Sequence, residues 1–180
     1  VRQPKAYYDL KGNPKRVTVL QGGSRSGKTY STMQVLCELC HMNANAGMVI
    51  TVVRRTFPSL RGSVLRDFMD ILQREGWYNE SNHNKTESTY VLFGNLFEFI
   101  SVDQSSRLRG RARSICFINE ANEINLETFT QAYYCALYFT ETGDDGQPPC
   151  DAELSPDAKR QIEAECERFY TKSGLEAIYG

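Results

Sequence analysis

Short apolar runs alternate along much of the chain with segments whose apolar residues recur at helical spacing. The apolar runs at 17–20, 48–53 and 114–120 predict buried strands. Runs with few polar interruptions are typical of parallel strands that are covered on both faces. The segments whose spacing predicts helices are 30–45, 63–74 and 125–138.

One region departs from this alternation. Residues 90–100 are apolar on both sides of Gly94-Asn95, which predicts a β-hairpin with a two-residue turn. Residues 79–89 are polar and predict a loop. Strands that alternate with helices predict an α/β fold with a mainly parallel central sheet.

The connection between the first predicted strand and its helix is rich in glycine. It fits the phosphate-binding P-loop pattern G-x-x-x-x-G-K-[ST], also called Walker A. Its residues are Gly22, Gly23, Ser24, Arg25, Ser26, Gly27, Lys28 and Thr29. Backbone N–H groups of such a loop point at phosphate oxygens, and the helix start adds its positive dipole end. We therefore expect all eight residues to bind ATP, with Lys28 at the β- and γ-phosphates and the Thr29 hydroxyl on Mg²⁺. A tight strand-to-helix turn is the alternative.

The strand predicted at 114–120 ends in two polar residues, as a Walker B segment does. Glu120 is the expected catalytic carboxylate, which would orient the attacking water. Asn119 occupies the position where an aspartate usually contacts the Mg²⁺ shell. Asparagine keeps an acceptor oxygen but lacks the charge, so we expect weaker Mg²⁺ binding or turnover. The alternative is a strand that ends in ordinary polar residues.

Arginines cluster in and around these motifs. Arg25 lies inside the P-loop and Arg109 shortly before the Walker B strand, and either is a candidate arginine finger, in cis or from a neighbouring subunit. For Arg107, Arg111 and Arg113 we expect a solvated loop or one that faces DNA phosphates. Tyr7, Tyr8 and Gln3 could contact adenine or pack on the domain surface, and the sequence favours neither.

Charge divides the chain unevenly, although its net charge is −1. Residues 1–120 carry 17 Lys and Arg against 10 Asp and Glu, whereas residues 121–180 carry 4 against 12. A basic body with an acidic tail suggests that the body faces a nucleotide or nucleic acid, although a solvated surface could carry the same charges. We predict an ATPase domain at 1–141, a flexible linker at 142–154 and an acidic helical tail at 155–180.

The composition favours a cytoplasmic protein. No run approaches the roughly 20 apolar residues of a membrane span, and the first residues lack the apolar centre of a signal peptide. The pattern C-x-x-C-H at Cys37, Cys40 and His41 occurs in haem attachment. Because it falls inside a predicted helix, we expect two buried thiols instead.

In combination these motifs resemble the ATPase domain of the large terminase subunit of tailed bacteriophages, over roughly residues 15–131. Four features in order carry the resemblance. They are the P-loop that contains Arg25, Val53-Arg54-Arg55-Thr56 followed by Leu60-Arg61, Leu108-Arg109-Gly110, and Ile118-Asn119-Glu120-Ala121-Asn122-Glu123.

The resemblance implies a three-layer P-loop NTPase of the additional-strand, RecA-like type that uses ATP and Mg²⁺. It also implies a motor that packages double-stranded DNA into procapsids in the host cytoplasm. The implied partners are that DNA, the terminase small subunit, the portal protein and further copies in a ring. The family's ribonuclease-H-type nuclease domain has no room in 180 residues, so we expect no nuclease activity from this chain alone.

Two other functions stay open from the sequence. One is a nucleotide-binding assembly module with little turnover, suggested by Asn119. The other is a different P-loop enzyme, such as a DNA-dependent ATPase, a helicase or a small-molecule kinase, although nothing in the sequence marks an acceptor pocket.

Overall fold

The computed structural model describes residues 4–11, 18–20, 26–104, 113–126 and 128–130, together with the isolated residues 160 and 164. The domain boundaries, linker and acidic tail predicted from the sequence therefore stay predictions. None of the described helices is long and apolar enough to cross a membrane.

A five-stranded mixed sheet forms the centre of the described fold. Its strands are β1 (Val49–Arg54), β2 (His83–Asn84), β3 (Thr89–Leu92), β4 (Asn95–Ser101) and β5 (Ile115–Ile118), in the spatial order β2-β3-β4-β1-β5. β1 pairs in parallel with both β4 and β5, whereas β3 pairs antiparallel with β2 and β4. The α/β class is thus confirmed. The described sheet is mixed, so a mainly parallel sheet is not confirmed: the predicted hairpin supplies one antiparallel pairing, and β2, which lies in the segment predicted to be a loop, supplies another.

Helices form at the predicted segments with shifted ends, and one further helix, at 5–10, was not predicted. They are α1 (Lys5–Leu10), α2 (Lys28–Met42), α3 (Phe57–Leu60) and α4 (Arg66–Arg74), and a π-helical turn (Arg61–Leu65) joins α3 to α4. The helix predicted at 63–74 therefore begins earlier, after Thr56, whose side-chain oxygen accepts from Ser59 N–H. Of the helix predicted at 125–138, the structure describes residues 125, 126 and 128–130, and all of these except residue 125 are helical.

One face of the sheet carries the main apolar core. Ile50 and Val52 of β1 lie beside Phe97 and Phe99 of β4, in register. Side chains of α2 and α4 cover these residues, and Phe68 contacts both phenylalanines with ring centroids 4.7 and 5.2 Å apart. The alternation of side chains along a strand places Val53 and Ile100 on the opposite face, where they pack with Ile124.

The hairpin turn lies one residue earlier than predicted. Phe93 and Gly94 both have positive φ, at 50° and 75°, as a two-residue type I′ turn requires. Gly94 is needed for a second reason, since a Cβ there would come within 2.4 Å of Asn45 Oδ1. Asn95 is therefore the first residue of β4, where its buried amide donates to the carbonyls of Cys40 and Asn43 at the end of α2.

The strand predicted at 17–20 does not form in the described structure. Thr18, Val19 and Leu20 belong to no strand, and residue 17 lies outside the described residues. The alternating apolar pattern predicted burial against a neighbouring strand, but Val19 is 54% exposed. A short β-branched run forms a strand only where another backbone pairs with it.

The expectation that Arg113 lies in a solvated or DNA-facing loop is wrong. Arg113 is 1% exposed and lies against the middle of the sheet. Its Nε donates to Thr51 Oγ1 at 2.8 Å, Thr51 Oγ1 donates to Glu98 Oε2 at 3.1 Å, and a guanidinium nitrogen lies 3.7 Å from the same carboxylate. Thr51 and Glu98 are register partners on β1 and β4, so Arg113, two residues before β5, links that segment to both of these strands.

Replacing Arg113 with alanine should strongly destabilise the fold. The change leaves the buried Glu98 carboxylate without the cation that faces it, and breaking such a pair typically costs about 3–5 kcal/mol. Urea denaturation measures the loss. Arg66→Ala is the control, because that arginine pairs with Asp67 on the surface, with its side chain 71% exposed, and should cost little. Equal stabilities of the two variants would contradict a stabilising role for the Arg113 pair.

The thiols of the C-x-x-C-H pattern are core residues. Cys37 and Cys40 are fully buried on α2, and His41 stacks on Trp77 with ring centroids 5.4 Å apart. Burial raises the pKa of the Cys37 thiol well above its usual range and raises the pKa of Cys40 to about 12. This environment supports the interpretation as two buried thiols.

Both thiols should resist labelling in the folded protein. At pH 8 they stay protonated because their pKa values are raised, and the thiolate is the reactive form. We expect Cys37 and Cys40 to react with a disulfide reagent only after denaturant is added, whereas the half-buried Cys116 should react earlier. Mass spectrometry of the labelled peptides measures the order, and fast native labelling of Cys37 or Cys40 would contradict it.

Candidate functional site

The parallel strands bring three segments to one edge of the sheet. Arg54 at the end of β1 is the register partner of Ser101 at the end of β4. Val53 pairs with Ile118, the last residue of β5, so Asn119 emerges beside Arg54. The carboxyl edge of parallel strands is where α/β proteins bind ligands.

The start of α2 lies at this edge. Gly27 has a φ of 76° and precedes the helix, and no side chain of the described residues caps the first N–H groups of α2. A side chain at this position would be strained, and its Cβ would come within 3.1 Å of Pro4 Cγ. Lys28 Nζ donates to Ser26 Oγ at 3.0 Å. A helix start of this kind suits an anion, because N–H groups and the dipole point at it.

Two residues predicted to hold Mg²⁺ meet at this edge. Asn119 Nδ2 donates to Thr29 Oγ1 at 2.9 Å, although the residues lie 90 positions apart. Asn119 is 4% exposed. The contact brings the end of the P-loop motif directly against the end of β5, as the predicted nucleotide site requires.

Arg54 completes the contact from the other side of Asn119. Its NH1 group donates to Asn119 Oδ1 at 2.9 Å and to Ser63 Oγ on the π-helical turn. Arg54 Nε is buried and has no hydrogen-bond partner among the residues that the structure describes. From the sequence, Arg54 was only one of the residues that carry the family resemblance, and it had no assigned role. Its position as the last residue of a buried parallel strand was the available signal.

Glu120 follows in a conformation that is unusual for a residue with a side chain. Its φ is 54°, in the left-handed region, and its carbonyl accepts from Glu123 N–H at 2.9 Å. Residues held in this way carry strain of about 1–3 kcal/mol and cluster at functional sites. Glu120 is exposed, so water can reach its carboxylate next to Asn119.

The other predicted residues divide into two groups. Those outside the described residues are Gly22, Gly23, Ser24, Arg25, Arg107, Arg109, Arg111 and Gln3. Tyr7, in contrast, is buried and its hydroxyl donates to the Glu38 carboxylate at 2.7 Å, which supports packing over contact with adenine. Tyr8 is exposed.

The residues at the edge fit a magnesium–nucleotide complex. Across the part of the chain that the structure describes, no group of three or more His, Cys, Asp and Glu side chains could hold a metal by itself. Mg²⁺ commonly takes only one or two protein ligands and completes its shell with substrate phosphates and water. Thr29, in the first turn of α2, can supply one such ligand.

Comparison with known proteins agrees with these features. Residues 14–134, more than half of the chain, match the family described as Phage terminase large subunit. The matched range includes the P-loop motif, Arg54 and the Asn119-Glu120 pair. No curated protein and no solved structure gives a significant match. The chain therefore belongs to the phage terminase large-subunit family.

Proposed function

We propose that the chain binds and hydrolyses ATP as the motor part of a phage terminase large subunit, and that hydrolysis drives double-stranded viral DNA into procapsids. The observation that carries the proposal is the 2.9 Å contact between Thr29 and Asn119 at the carboxyl edge of the sheet. Family membership supports the same conclusion.

The proposed roles follow from the chemistry of each residue. The loop 22–29 binds the phosphates, with Lys28 at the β- and γ-positions and Thr29 on the metal. Asn119 positions Thr29 through their hydrogen bond and contacts the coordination shell of the metal. Thr29 and Asn119 would hold Mg²⁺, which would offset the negative charge of the phosphates. Glu120 orients the attacking water, and Arg25 or Arg109 supplies positive charge at the transferring phosphoryl group.

The wider setting is proposed on family membership. It comprises an additional-strand, RecA-like P-loop fold for residues 1–141, a ring of copies, and contacts with DNA, the small subunit and the portal protein. The site of action would be the host cytoplasm. The described sheet is consistent with a RecA-like domain.

A second function is favoured by one observation. The Walker B position holds the neutral Asn119, and its oxygen is taken by Arg54 at 2.9 Å. A site with less negative charge holds Mg²⁺ less tightly. The chain could then serve as a nucleotide-binding assembly module with little turnover. Measuring ATP binding and hydrolysis on the same sample separates the two functions, because binding without turnover supports the module.

Two substitutions test the motor proposal. Lys28→Ala should abolish Mg²⁺-dependent ATP binding, because the loop loses its cation. Glu120→Gln should keep binding but lower the hydrolysis rate by about 10²-fold or more, the range for loss of a general base. Calorimetry measures binding and phosphate release measures turnover.

Glu123→Gln is the matched control for Glu120→Gln, since it removes the same charge three positions further along the same turn. We expect near wild-type turnover from it. Equal turnover in Glu120→Gln and the wild type would refute the catalytic role of Glu120.

A further inference from the structure

We propose that Arg54 is a positioning residue of this site. It turns the Asn119 amide so that its NH₂ group faces Thr29, and it thereby raises the Mg²⁺ concentration that nucleotide binding requires. This inference rests on the proposed nucleotide-binding function.

The chemistry of the guanidinium fixes the direction of the amide. Arginine has donors and no acceptor, so the atom of Asn119 that lies 2.9 Å from Arg54 NH1 has to be the oxygen. The NH₂ group is then left to face Thr29 Oγ1, also at 2.9 Å. Turning the amide over would place its NH₂ group against the guanidinium, where two sets of donors would meet.

Arg54 is itself held by the π-helical turn. Ser63 Oγ donates to the Ser59 carbonyl at 2.7 Å, so its lone pairs are free to accept from Arg54. The two hydrogens of NH1 are thus shared between Ser63 and Asn119. π-helical turns often occur at functional sites, and this one presents Ser63 directly to the arginine.

The donor and the acceptor of each hydrogen bond in this row are therefore fixed: Arg54 donates to Ser63 and to Asn119, and Asn119 donates to Thr29. Thr29 accepts from Asn119, which occupies one of the two lone pairs of its hydroxyl oxygen. The Asn119 oxygen, which could otherwise face a metal or a metal-bound water, is bonded to a cation.

The first experiment measures binding of a fluorescent ATP analogue as Mg²⁺ is raised. Arg54→Met removes the donors and the charge but keeps an unbranched side chain. We expect the Mg²⁺ concentration for half-maximal binding to fall about tenfold, the lower end of the range for groups that hydrogen-bond a metal ligand. Arg55→Met is the matched control, because Arg55 is exposed and adjacent and carries the same charge. It should shift the value less than twofold.

A double-mutant cycle tests whether Arg54 acts through Asn119. In an Asn119→Ala background the effect of Arg54→Met should be largely lost, because no amide is left to turn. An undiminished effect in that background, or equal shifts in Arg54→Met and Arg55→Met, would overturn the inference.

A second readout needs neither nucleotide nor metal. Nuclear magnetic resonance of the free protein reports hydrogen exchange of the Asn119 side-chain NH₂ group, identified by its absence in Asn119→Ala. Exchange should be several times faster in Arg54→Met than in the wild type. Ser63→Ala removes the hydroxyl that accepts from Arg54 but leaves the arginine charge. It should also speed up exchange of the Asn119 NH₂ group, but by less than Arg54→Met does. Unchanged exchange in both variants would contradict the positioning role.

The two levels of the proposal fail separately. A wild-type chain that binds no nucleotide in the presence of Mg²⁺ overturns the proposed function, while amide exchange still tests the role of Arg54. If the wild type binds nucleotide and Arg54→Met needs the same Mg²⁺ concentration for half-maximal binding, only the inference about Arg54 is overturned. Thermal melting of each variant confirms that the compared proteins are folded.

Discussion

Parallel pairing of β1 with β4 and β5 is the constraint on which the proposed site depends. It places the ends of these strands at one edge, so that Arg54, Ser101 and Asn119 emerge side by side. The start of α2 reaches the same edge, and the Thr29–Asn119 hydrogen bond joins them. A change of one residue in the register of β5 would turn Asn119 to the other face. The positions of the site residues therefore depend on the register of the parallel strands.

The two faces of the sheet contribute differently to that constraint. The face covered by α2 and α4 is apolar, and aromatic contacts around Phe68 dominate it. The opposite face holds the buried Arg113 and Glu98 pair across three strands. A buried ion pair often adds little net stability compared with apolar residues, but it penalises arrangements that leave either charge unpaired. We expect Arg113 to favour the observed order of β4, β1 and β5 for this reason.

Sequence patterns predicted most of the described elements and part of the site. The strands β1 and β5, the hairpin and helix α2 follow from apolar periodicity, and the motif residues Thr29 and Asn119 were both assigned to the metal. The patterns could not show that Arg54 bonds Asn119, because that contact depends on strand register. They also misplaced Arg113, since a run of arginines ordinarily indicates a solvated loop and burial depends on Glu98 from another strand. The strand expected at 17–20 is absent from the described sheet, because local β-branched residues do not supply a pairing partner.

The most direct test of the nucleotide site is a crystal structure of the chain with Mg²⁺ and a non-hydrolysable ATP analogue. The account predicts phosphates at the start of α2 and a metal about 2.0–2.1 Å from Thr29 Oγ1, the distance usual for Mg²⁺. A nucleotide bound away from α2, or a metal that does not contact Thr29, would contradict it.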